Sequence, residues 1–470
     1  MPDSLETTRD LLAFIDASPT PFHAVRTAIE RLERAGFSPL RESEPWVLSS
    51  GDRRYVVRND SSLAAFIVGS APASESGFAM IGAHTDSPNL RLKPIADVER
   101  CGYAQASIEV YGGVLLNSWL DRDLGLAGRI VVHTARGAET RLYRSARPLA
   151  RIPQLAIHLD REVNERGLIL NKELHLSPVL SLAVAPSAAT ASEPCPPGGA
   201  TGSATGVPPF AGSPLLTFVA NELGVRPDEI AAHELMFFDL APSTLSGLND
   251  EFIHAPRLDN LASCHAALGA LLRSADTPLD ATRAIVLYDN EEIGSATLQG
   301  ASGPFLEELI ARLVPATSAA AERGDNRTGE SIARARARSF FISADMAHAI
   351  HPNYSDRHEP RHAPRINDGP VIKVNANARY ATDAETSAHF QLICRAAEVP
   401  VQRFAMRADI PCGSTIGPLV STRLGIKTVD VGNPMLSMHS IREMAGSLDP
   451  EYMTRALTAF FRGEGGVWMK

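Results

Sequence analysis

The amino-acid sequence predicts an α/β protein with a layered sheet. Short apolar runs with the length of buried strands alternate with longer segments whose apolar residues recur at helical spacing, and this alternation is typical of a sheet covered by helices. The strand-like runs are LAAFIVG, GFAMIGAH, AIVLYDN, SFFISAD and IKTVDVG, and the helical segments include HAALGALLRSA, GPFLEELIARLV and AETSAHFQLICRAAEV. A chain of 470 residues is also long enough for two domains.

An amphipathic helix is predicted near the start of the chain, over FHAVRTAIERLERAGF. Thr20 is placed to cap its first turn, Pro21 occupies the first helical position, and Gly36 follows the last turn. These signals define both ends of the helix.

The middle of the chain has a different pattern. AQASIEVYGG, LAGRIVVHT and ETRLYRSA alternate apolar and polar residues in strand fashion and are separated by glycines. The sequence therefore predicts a β-rich second domain over residues 93–242, inserted between two parts of the first domain, 1–92 and 243–470. Within the insertion, residues 184–213 are rich in Pro, Gly, Ala and Ser, which predicts a mobile loop because such a segment buries little apolar surface.

Composition and charge argue against several classes of partner and location. The formal net charge of -9 gives no general basic field for nucleic acid or an anionic membrane, and neither partner is expected. No apolar run approaches the roughly 18 residues of a membrane span, and the first residues lack the pattern of a secretory signal. The five cysteines are widely spaced and form no C-x-x-C pair, which fits reduced thiols in a cytoplasmic protein.

Acids and histidines stand where the predicted strands end. His84 and Asp86 come after FAMIGA, Glu291 and Glu292 after IVLYDN, Asp345 after FFISA, and His439 a few residues after TVDVGN. Ligands of open α/β sheets bind outside the carboxyl ends of the strands, so these side chains are expected to meet at one edge. Asp259 stands at the start of a predicted helix, where it is either a further ligand or a plain N-cap.

This set of His, Asp and Glu side chains predicts a site for two divalent metal ions. Nitrogen and oxygen donors of this kind suit zinc, with manganese or cobalt as alternatives. Two ions about 3.5 to 4 Å apart need a bridging carboxylate, for which Asp259 is the candidate. His84 then pairs with one terminal acid and His439 with the other, and the sequence leaves open whether Glu292 or Asp345 accompanies His84.

Asp86 and Glu291 are the candidate catalytic side chains. In the H-x-D arrangement Asp86 accepts the second ring N–H of His84 and fixes the imidazole tautomer, although a turn aspartate is an equal alternative in TDSPN. Glu291 and Glu292 are adjacent and therefore have different partners. If Glu292 ligates a metal, Glu291 remains unligated and acts as the general base on a metal-bridging water. The alternative, a solvated acidic turn, does not explain the apolar strand that precedes it.

Seven segments, in order along the chain, resemble those of the aspartyl aminopeptidase family. They are GAHTDSPNLRLKP, IPQLAIHLDREVN, NKELHLSPVL, PRLDNLASC, DNEEIGS, ISADMAHAIHPNY and GNPMLSMHSIRE. The resemblance implies a three-layer α/β/α catalytic domain like that of zinc exopeptidases, a smaller inserted dimerisation domain, and a homo-oligomer that is a dodecamer. It also implies a cytosolic metalloprotease, a hydrolase that removes an N-terminal aspartate or glutamate from peptides.

The resemblance also implies roles for individual residues. The family's metal ligands correspond to His84, Asp259, Glu292, Asp345 and His439, and its base corresponds to Glu291. Its substrate contacts correspond to His158, His348, Lys373 and Tyr380, and the residue matching His158 reaches a neighbouring subunit's active site. A site that selects acidic residues needs local positive charge, which Lys373 and the histidines provide. A solvated strand-edge lysine and structurally satisfied histidines are the plain alternatives.

Two other functions are compatible with the sequence. The nearest is a different dinuclear hydrolase of similar architecture, either a broad-specificity aminopeptidase or an amino-acid deacylase. The other is a non-catalytic assembly protein that has kept the fold. The sequence retains a suitable residue at every ligand position and at the base position. This argues against the assembly protein, because a protein without activity is free to lose these residues.

Overall fold

A computed structural model of the protein describes residues 5–183, 212–317 and 328–466. By its internal contacts the chain divides into two units. The boundary falls between residues 87 and 88 and again between 242 and 243, and His439–Ile441 return to the second unit. Most of the loop predicted at 184–213 lies outside the described residues.

The helices and strands are numbered along the described chain. The helices are α1 (Glu6–Ala17), α2 (Pro21–Arg34), α3 (Ala73–Ser76), α4 (Val163–Arg166), α5 (Pro214–Leu223), α6 (Leu258–Arg273), α7 (Phe305–Ala316), α8 (Thr328–Ala337), α9 (Ala384–Ala396), α10 (Ile416–Leu424) and α11 (Asp449–Phe461). The strands are β1 (Ser38–Pro39), β2 (Arg53–Arg58), β3 (Ser62–Ile67), β4 (Phe78–His84), β5 (Asn89–Arg100), β6 (Tyr103–Tyr111), β7 (Leu124–Thr134), β8 (Gly137–Arg144), β9 (Val179–Leu182), β10 (Ile230–Asp239), β11 (Thr244–Ser246), β12 (Phe252–Ala255), β13 (Thr282–Tyr288), β14 (Phe340–Ala344), β15 (Ala347–His348), β16 (Val371–Val374), β17 (Gln402–Ala405), β18 (Lys427–Gly432), β19 (Pro434–Leu436) and β20 (Glu443–Gly446).

The first unit is built on a nine-stranded sheet with the order β1-β2-β3-β13-β4-β14-β18-β16-β17. The five apolar runs that predict strands form β3, β4, β13, β14 and β18 at its centre. The strands β13, β4, β14 and β18 are parallel neighbours, so their carboxyl ends share one edge of the sheet. The predicted α/β fold class is confirmed.

Residues of the central strands alternate between the two faces of this sheet. On β3, Leu63 and Ala65 belong to one core cluster, whereas Ala64 and Phe66 belong to another. The first cluster includes side chains of α1, α2, α6, α9 and α11, and the second includes side chains of α7, α8 and α10. Helices therefore cover both faces, as the predicted three-layer architecture requires.

The first predicted helix is present as α2. The Thr20 hydroxyl accepts the backbone N–H of His23 at 3.4 Å, and Pro21 is the first helical residue. Gly36, just beyond the helix, has a φ of 83°, a left-handed conformation that favours glycine. The capping signals in the sequence therefore give the correct helix ends.

A smaller sheet in the first unit was not predicted. Its five strands follow the order β11-β12-β20-β19-β15 and contain two to four residues each. Strands this short give no readable period-two pattern, which is why the sequence does not reveal them.

The second unit contains a six-stranded sheet with the order β8-β7-β10-β5-β6-β9, and every pairing in it is antiparallel. Its core cluster joins apolar residues of β5, β6, β7 and β10 to Leu216 and Val219 of α5. This confirms the β-rich composition expected of the inserted segment.

One expectation about the cysteines is wrong. Cys101 is disulfide-bonded, whereas Cys264, Cys394 and Cys412 carry free thiols. No local pairing signal marks Cys101, because the cysteines are far apart along the chain. Among the described helices, none has both the length and the apolar character needed to cross a membrane.

Leu457→Ala is expected to lower the free energy of unfolding by about 2–5 kcal/mol, because the side chain of Leu457 is fully buried in the core under α11. The same substitution at Leu248, which is 100% exposed, is the matched control and is expected to change stability by less than about 0.5 kcal/mol. Denaturant titration of both variants measures the difference. Equal losses at the two positions would contradict this assignment of the core.

Candidate metal centre

Three adjacent strands deliver acids and a histidine to one edge of the central sheet. β4 ends at His84, β14 ends one residue before Asp345, and β13 ends three residues before a short 3-10 turn, Glu291–Ile293. Because β13, β4 and β14 are parallel neighbours, these side chains leave the sheet at the same edge. The apolar run IVLY therefore places the two consecutive glutamates beside His84.

His84 is the centre of this cluster and is 1% exposed. Its Nε2 lies 3.4 Å from Asp259 Oδ1 and 3.5 Å from Asp345 Oδ1. Burial alone lowers the pKa of His84, but the surrounding carboxylates, Asp259 first, hold that pKa well above its usual value. A cation that binds the same oxygens would replace the ring proton, because a histidine ligates metal in its neutral form.

Asp86 connects His84 to the two glutamates. The Nδ1 atom of His84 lies 3.0 Å from the Asp86 carbonyl oxygen and 3.3 Å from Asp86 Oδ1. The Asp86 carboxylate also accepts the backbone N–H groups of Glu291 and Glu292, each at 3.1 Å. Asp86 therefore orients the imidazole, with Nε2 turned toward the acids, and fixes the backbone of the glutamate pair.

Asp259 lies at the first turn of α6 but is not helical, with φ -83° and ψ 102°. Arg257 precedes the first residue of α6, and the non-helical conformations of Asp259 and Asn260 interrupt the helix at its start. The backbone of Asp259 is held at both ends: its N–H donates to Glu443 Oε2 at 3.1 Å, and its carbonyl accepts the Ser87 hydroxyl at 2.6 Å. These contacts turn the carboxylate toward His84.

Glu443 and Ser87 are site residues that sequence reasoning missed. Glu443 is 2% exposed and lies on β20 of the small sheet. One signal could have identified it, since it is the acid at the end of GNPMLSMHSIRE, the segment that contains His439. Ser87 follows directly on the H-x-D motif. Neither residue faces the cluster as a ligand, so ligand spacing could not reveal them.

Glu291 is partly buried beside the cluster. Burial raises the pKa of Glu291 to about 9, the neighbouring carboxylates reinforce that rise, and His84 opposes it. A divalent cation bound to those carboxylates lowers the pKa of Glu291 again, since it offsets their negative charge.

The donor set fits a zinc ion. His84, Asp259 and Asp345 offer ligand atoms that all lie within 4.8 Å of one another, and so do His84, Glu291 and Glu292. Imidazole nitrogen and carboxylate oxygen are the donors of catalytic zinc sites. The ligand atoms of His84 thus lie near those of both Asp345 and Glu292, and which acid accompanies His84 on one ion stays a prediction.

Lys373 and Tyr380 lie beside Asp345. The Lys373 ammonium is 3.4 Å from Asp345 Oδ2 and 5.6 Å from the centre of the Tyr380 ring. Lys373 is only 3% exposed, so the alternative of a solvated strand-edge lysine is excluded. The site therefore contains a buried positive charge next to its acids.

A family model for the aminopeptidase I zinc metalloproteases, M18, matches residues 14–461. The chain belongs to the M18 aminopeptidase family. This confirms the resemblance of the sequence motifs at the level of the family. The chain is thus an aminopeptidase of a zinc metalloprotease family.

Relatives and solved structures agree with this M18 assignment over nearly the whole chain. The probable M18 family aminopeptidase 2 of Ectopseudomonas mendocina strain ymp is 44% identical over 456 residues, which cover 97% of this chain and 98% of that protein. A chain in the cryo-EM structure of the Ape4 and Nbr1 complex is 38% identical with a TM-score of 0.88, and the match covers 98% of this chain and 86% of that chain. The mApe1 dodecamer of S. cerevisiae is 29% identical with a TM-score of 0.81, and the match covers 98% of each chain.

Three further predicted residues of this M18 aminopeptidase lie on other segments of the chain. His348 lies on β15, with its ring 6.1 Å from that of Phe404 and edge-on to it. His158 is exposed in the second unit. His439 also groups with the second unit, and its Nδ1 lies 3.0 Å from the carbonyl oxygen of Gly113. A carbonyl only accepts, so Nδ1 is the donor in this contact.

Proposed function

We propose that this M18 aminopeptidase removes aspartate or glutamate from the N-termini of peptides with the help of two divalent metal ions. The buried ammonium of Lys373 is the observation that carries the proposal. A lysine that is 3% exposed needs an anionic partner, and Asp345 is a predicted metal ligand whose negative charge is shared with the ion. A carboxylate on the first residue of a peptide would be a further anionic partner for this ammonium.

The proposed metal ligands form two sets joined by Asp259. His84, Asp345 and Asp259 would hold one ion, and Glu292, His439 and Asp259 would hold the other. The orientations of the imidazole rings support this set, since both histidines direct Nδ1 at a backbone carbonyl and would ligate an ion through Nε2. Zinc, when bound, polarises the scissile carbonyl and lowers the pKa of water.

Glu291 moves the proton in the proposed reaction. Its backbone is fixed by Asp86, and its carboxylate lies in the acidic cluster beside His84. The carboxylate takes a proton from the attacking water and donates it to the nitrogen of the departing peptide. Both steps use the same carboxylate, so the base returns to its starting state after each turnover.

Hydrolysis of Asp-, Glu-, Ala- and Leu-terminated peptides tests the proposed substrate class. The wild type is expected to prefer the two acidic peptides and to lose activity when a chelator is added. Equal rates on all four peptides would indicate a broad-specificity aminopeptidase, and cleavage of N-acylated amino acids instead would indicate a deacylase. Bound metal without hydrolysis of any of these substrates would favour the assembly protein.

Lys373→Met is expected to lower kcat/KM on Asp- and Glu-terminated peptides by about 10- to 100-fold, because a hydrogen bond to a charged group contributes about 1.5–3 kcal/mol. The Ala-terminated peptide should be affected much less. Lys427→Met removes an exposed lysine that pairs with Glu385 and serves as the matched control. If Lys373→Met loses zinc and its kcat/KM falls equally on all peptides, Lys373 only orients Asp345.

We also propose that the second unit is a dimerisation domain and that the chain assembles as a dodecamer. Support comes from the S. cerevisiae mApe1 dodecamer and from apolar side chains that the second unit exposes: Ile95, Leu155, Ile157, Leu159, Ile169 and Leu182. Exposed apolar side chains form an interface where they make one contiguous patch. In such an assembly His158, which follows Ile157, would serve a neighbouring subunit's active site.

Mixing two inactive variants tests the role of His158. His158→Ala and Glu291→Gln are each expected to be inactive alone, whereas co-expression of the two should restore up to about a quarter of wild-type activity in a symmetric dimer. Each mixed pair then contains one site with both residues intact. An absence of any recovery in mixed oligomers, verified by differential tags, would show that His158 does not act across subunits.

We propose a cytoplasmic location. The free thiols of Cys264, Cys394 and Cys412 support it, whereas the disulfide at Cys101 is more typical of an oxidising compartment. Fractionation of the source cells followed by thiol labelling distinguishes a cytoplasmic location from an oxidising compartment.

A further inference from the structure

Asp430 is a buried carboxylate for which the proposed reaction has no role. It lies on β18 opposite Ser343 of β14, the strand that leads to Asp345, and it is 0% exposed. Burial raises the pKa of Asp430, and the hydrogen bonds that it accepts oppose that rise. A charge so far from solvent is costly unless its hydrogen bonds organise the structure around it.

The carboxylate of Asp430 holds two separate chain segments. Its Oδ2 accepts the backbone N–H of Ala381 at 2.6 Å, directly after Tyr380. Its Oδ1 accepts the hydroxyl of Thr415 at 2.6 Å, at the start of α10. Thr415 occupies the N-cap position of that helix but makes no capping bond with its side chain, because its hydroxyl donates to Asp430 instead.

Further contacts hold the Tyr380 and Thr415 segments against Asp430. The backbone N–H of Asp430 donates to the Thr382 hydroxyl at 2.9 Å, so the Tyr380 segment is held by both main chain and side chain. A Cβ at Gly417 would lie 2.4 Å from both carboxylate oxygens, so only glycine allows α10 to approach Asp430 this closely. The two segments also bind each other, since Arg379 Nε donates to the Cys412 carbonyl at 3.2 Å.

We propose that Asp430 is a positioning residue that fixes the Tyr380 and Thr415 segments as one wall of the acid-binding pocket around Lys373. This rests on the proposed function, since the wall matters for binding only if Lys373 and Tyr380 contact the substrate. A wall that moves by about 1 Å loses much of its binding contribution, and the loss falls on contacts made equally in the ground and transition states.

The test compares two substitutions at Asp430. Asp430→Ala removes both acceptors and is expected to raise KM for an Asp-terminated peptide roughly tenfold or more with little change in kcat. Asp430→Asn should restore most of the binding, because its amide oxygen still accepts the Ala381 N–H and its NH2 group can donate to the Thr415 hydroxyl. Asp16→Ala is the matched control: that carboxylate also accepts a backbone N–H and a hydroxyl, both from Ser243. It is expected to leave KM unchanged.

A second pair keeps the proposal testable if Asp430→Ala does not fold. Thr415→Val removes only the hydroxyl donor and should raise KM, whereas Thr415→Ser keeps the donor and should not. The proposal is overturned if KM stays at the wild-type value in Asp430→Ala and Thr415→Val, or if Asp430→Asn is as impaired as Asp430→Ala. The preference of the wild type among the four peptides tests the proposed substrate class separately from the role of Asp430. KM is measured on the peptide that the wild type cleaves best.

Discussion

Glu291→Gln is expected to lower turnover on the order of a hundred- to ten-thousandfold while zinc remains bound. Glutamine has nearly the shape of glutamate but cannot accept and return a proton at neutral pH. The backbone N–H groups of residues 291 and 292 would still donate to Asp86, so the turn and the neighbouring ligand should stay in place. Steady-state kinetics on an Asp-terminated peptide, with zinc per chain measured on the same preparation, tests this expectation.

Glu292→Gln is the matched neighbour for that experiment. It removes a predicted ligand instead of the base, so zinc content is expected to fall together with activity. The two adjacent substitutions thus separate proton transfer from metal binding. Near-normal turnover in Glu291→Gln would remove Glu291 as the base, and loss of zinc in Glu291→Gln with zinc retained in Glu292→Gln would exchange the two roles.

The central sheet was predictable because its strands are covered on both faces. β4 and β14 are buried throughout and therefore appear in the sequence as continuous apolar runs. β15, by contrast, contains two residues and pairs with β19, far along the chain. Such a strand forms because tertiary contacts hold it, and no local pattern predicts it. The return of His439–Ile441 to the second unit is likewise a tertiary property.

The site residues likewise divide into those that a local sequence pattern marks and those that only tertiary contacts bring to the site. His84, Glu291 and Asp345 were identifiable because they stand directly after apolar strands. Whether Asp345 or Glu292 accompanies His84 could not be decided from the sequence, because β4 lies between β13 and β14 and acids follow both of these neighbouring strands. Glu443 and Asp430 were not predicted because their importance comes from hydrogen bonds to distant backbone groups at residues 259 and 381.

Asp259→Asn is expected to reduce zinc affinity by more than about 100-fold, the upper range for losing an outer partner of a metal ligand, because Asp259 is the proposed bridge between two ions. Activity should fall with the metal. The amide keeps one oxygen and the same volume, and the backbone contacts of residue 259 to Ser87 and Glu443 do not involve the carboxylate. The substitution therefore changes charge and ligation while the local fold is retained.

Thermal unfolding distinguishes this effect from a general loss of stability. A chelator should lower the Tm of the wild type, since ligands stabilise the state that binds them, but should leave the Tm of Asp259→Asn nearly unchanged. Without metal the variant should have nearly the stability of the wild type, because the relief of repulsion among the clustered carboxylates is offset by the loss of the carboxylate that favours protonated His84. Asp276→Asn, at an exposed ion pair with Arg53, is the control that should respond to chelator like the wild type. A variant that still binds zinc tightly, or that unfolds at a lower temperature than the metal-free wild type, would show that Asp259 serves the fold instead of the metals.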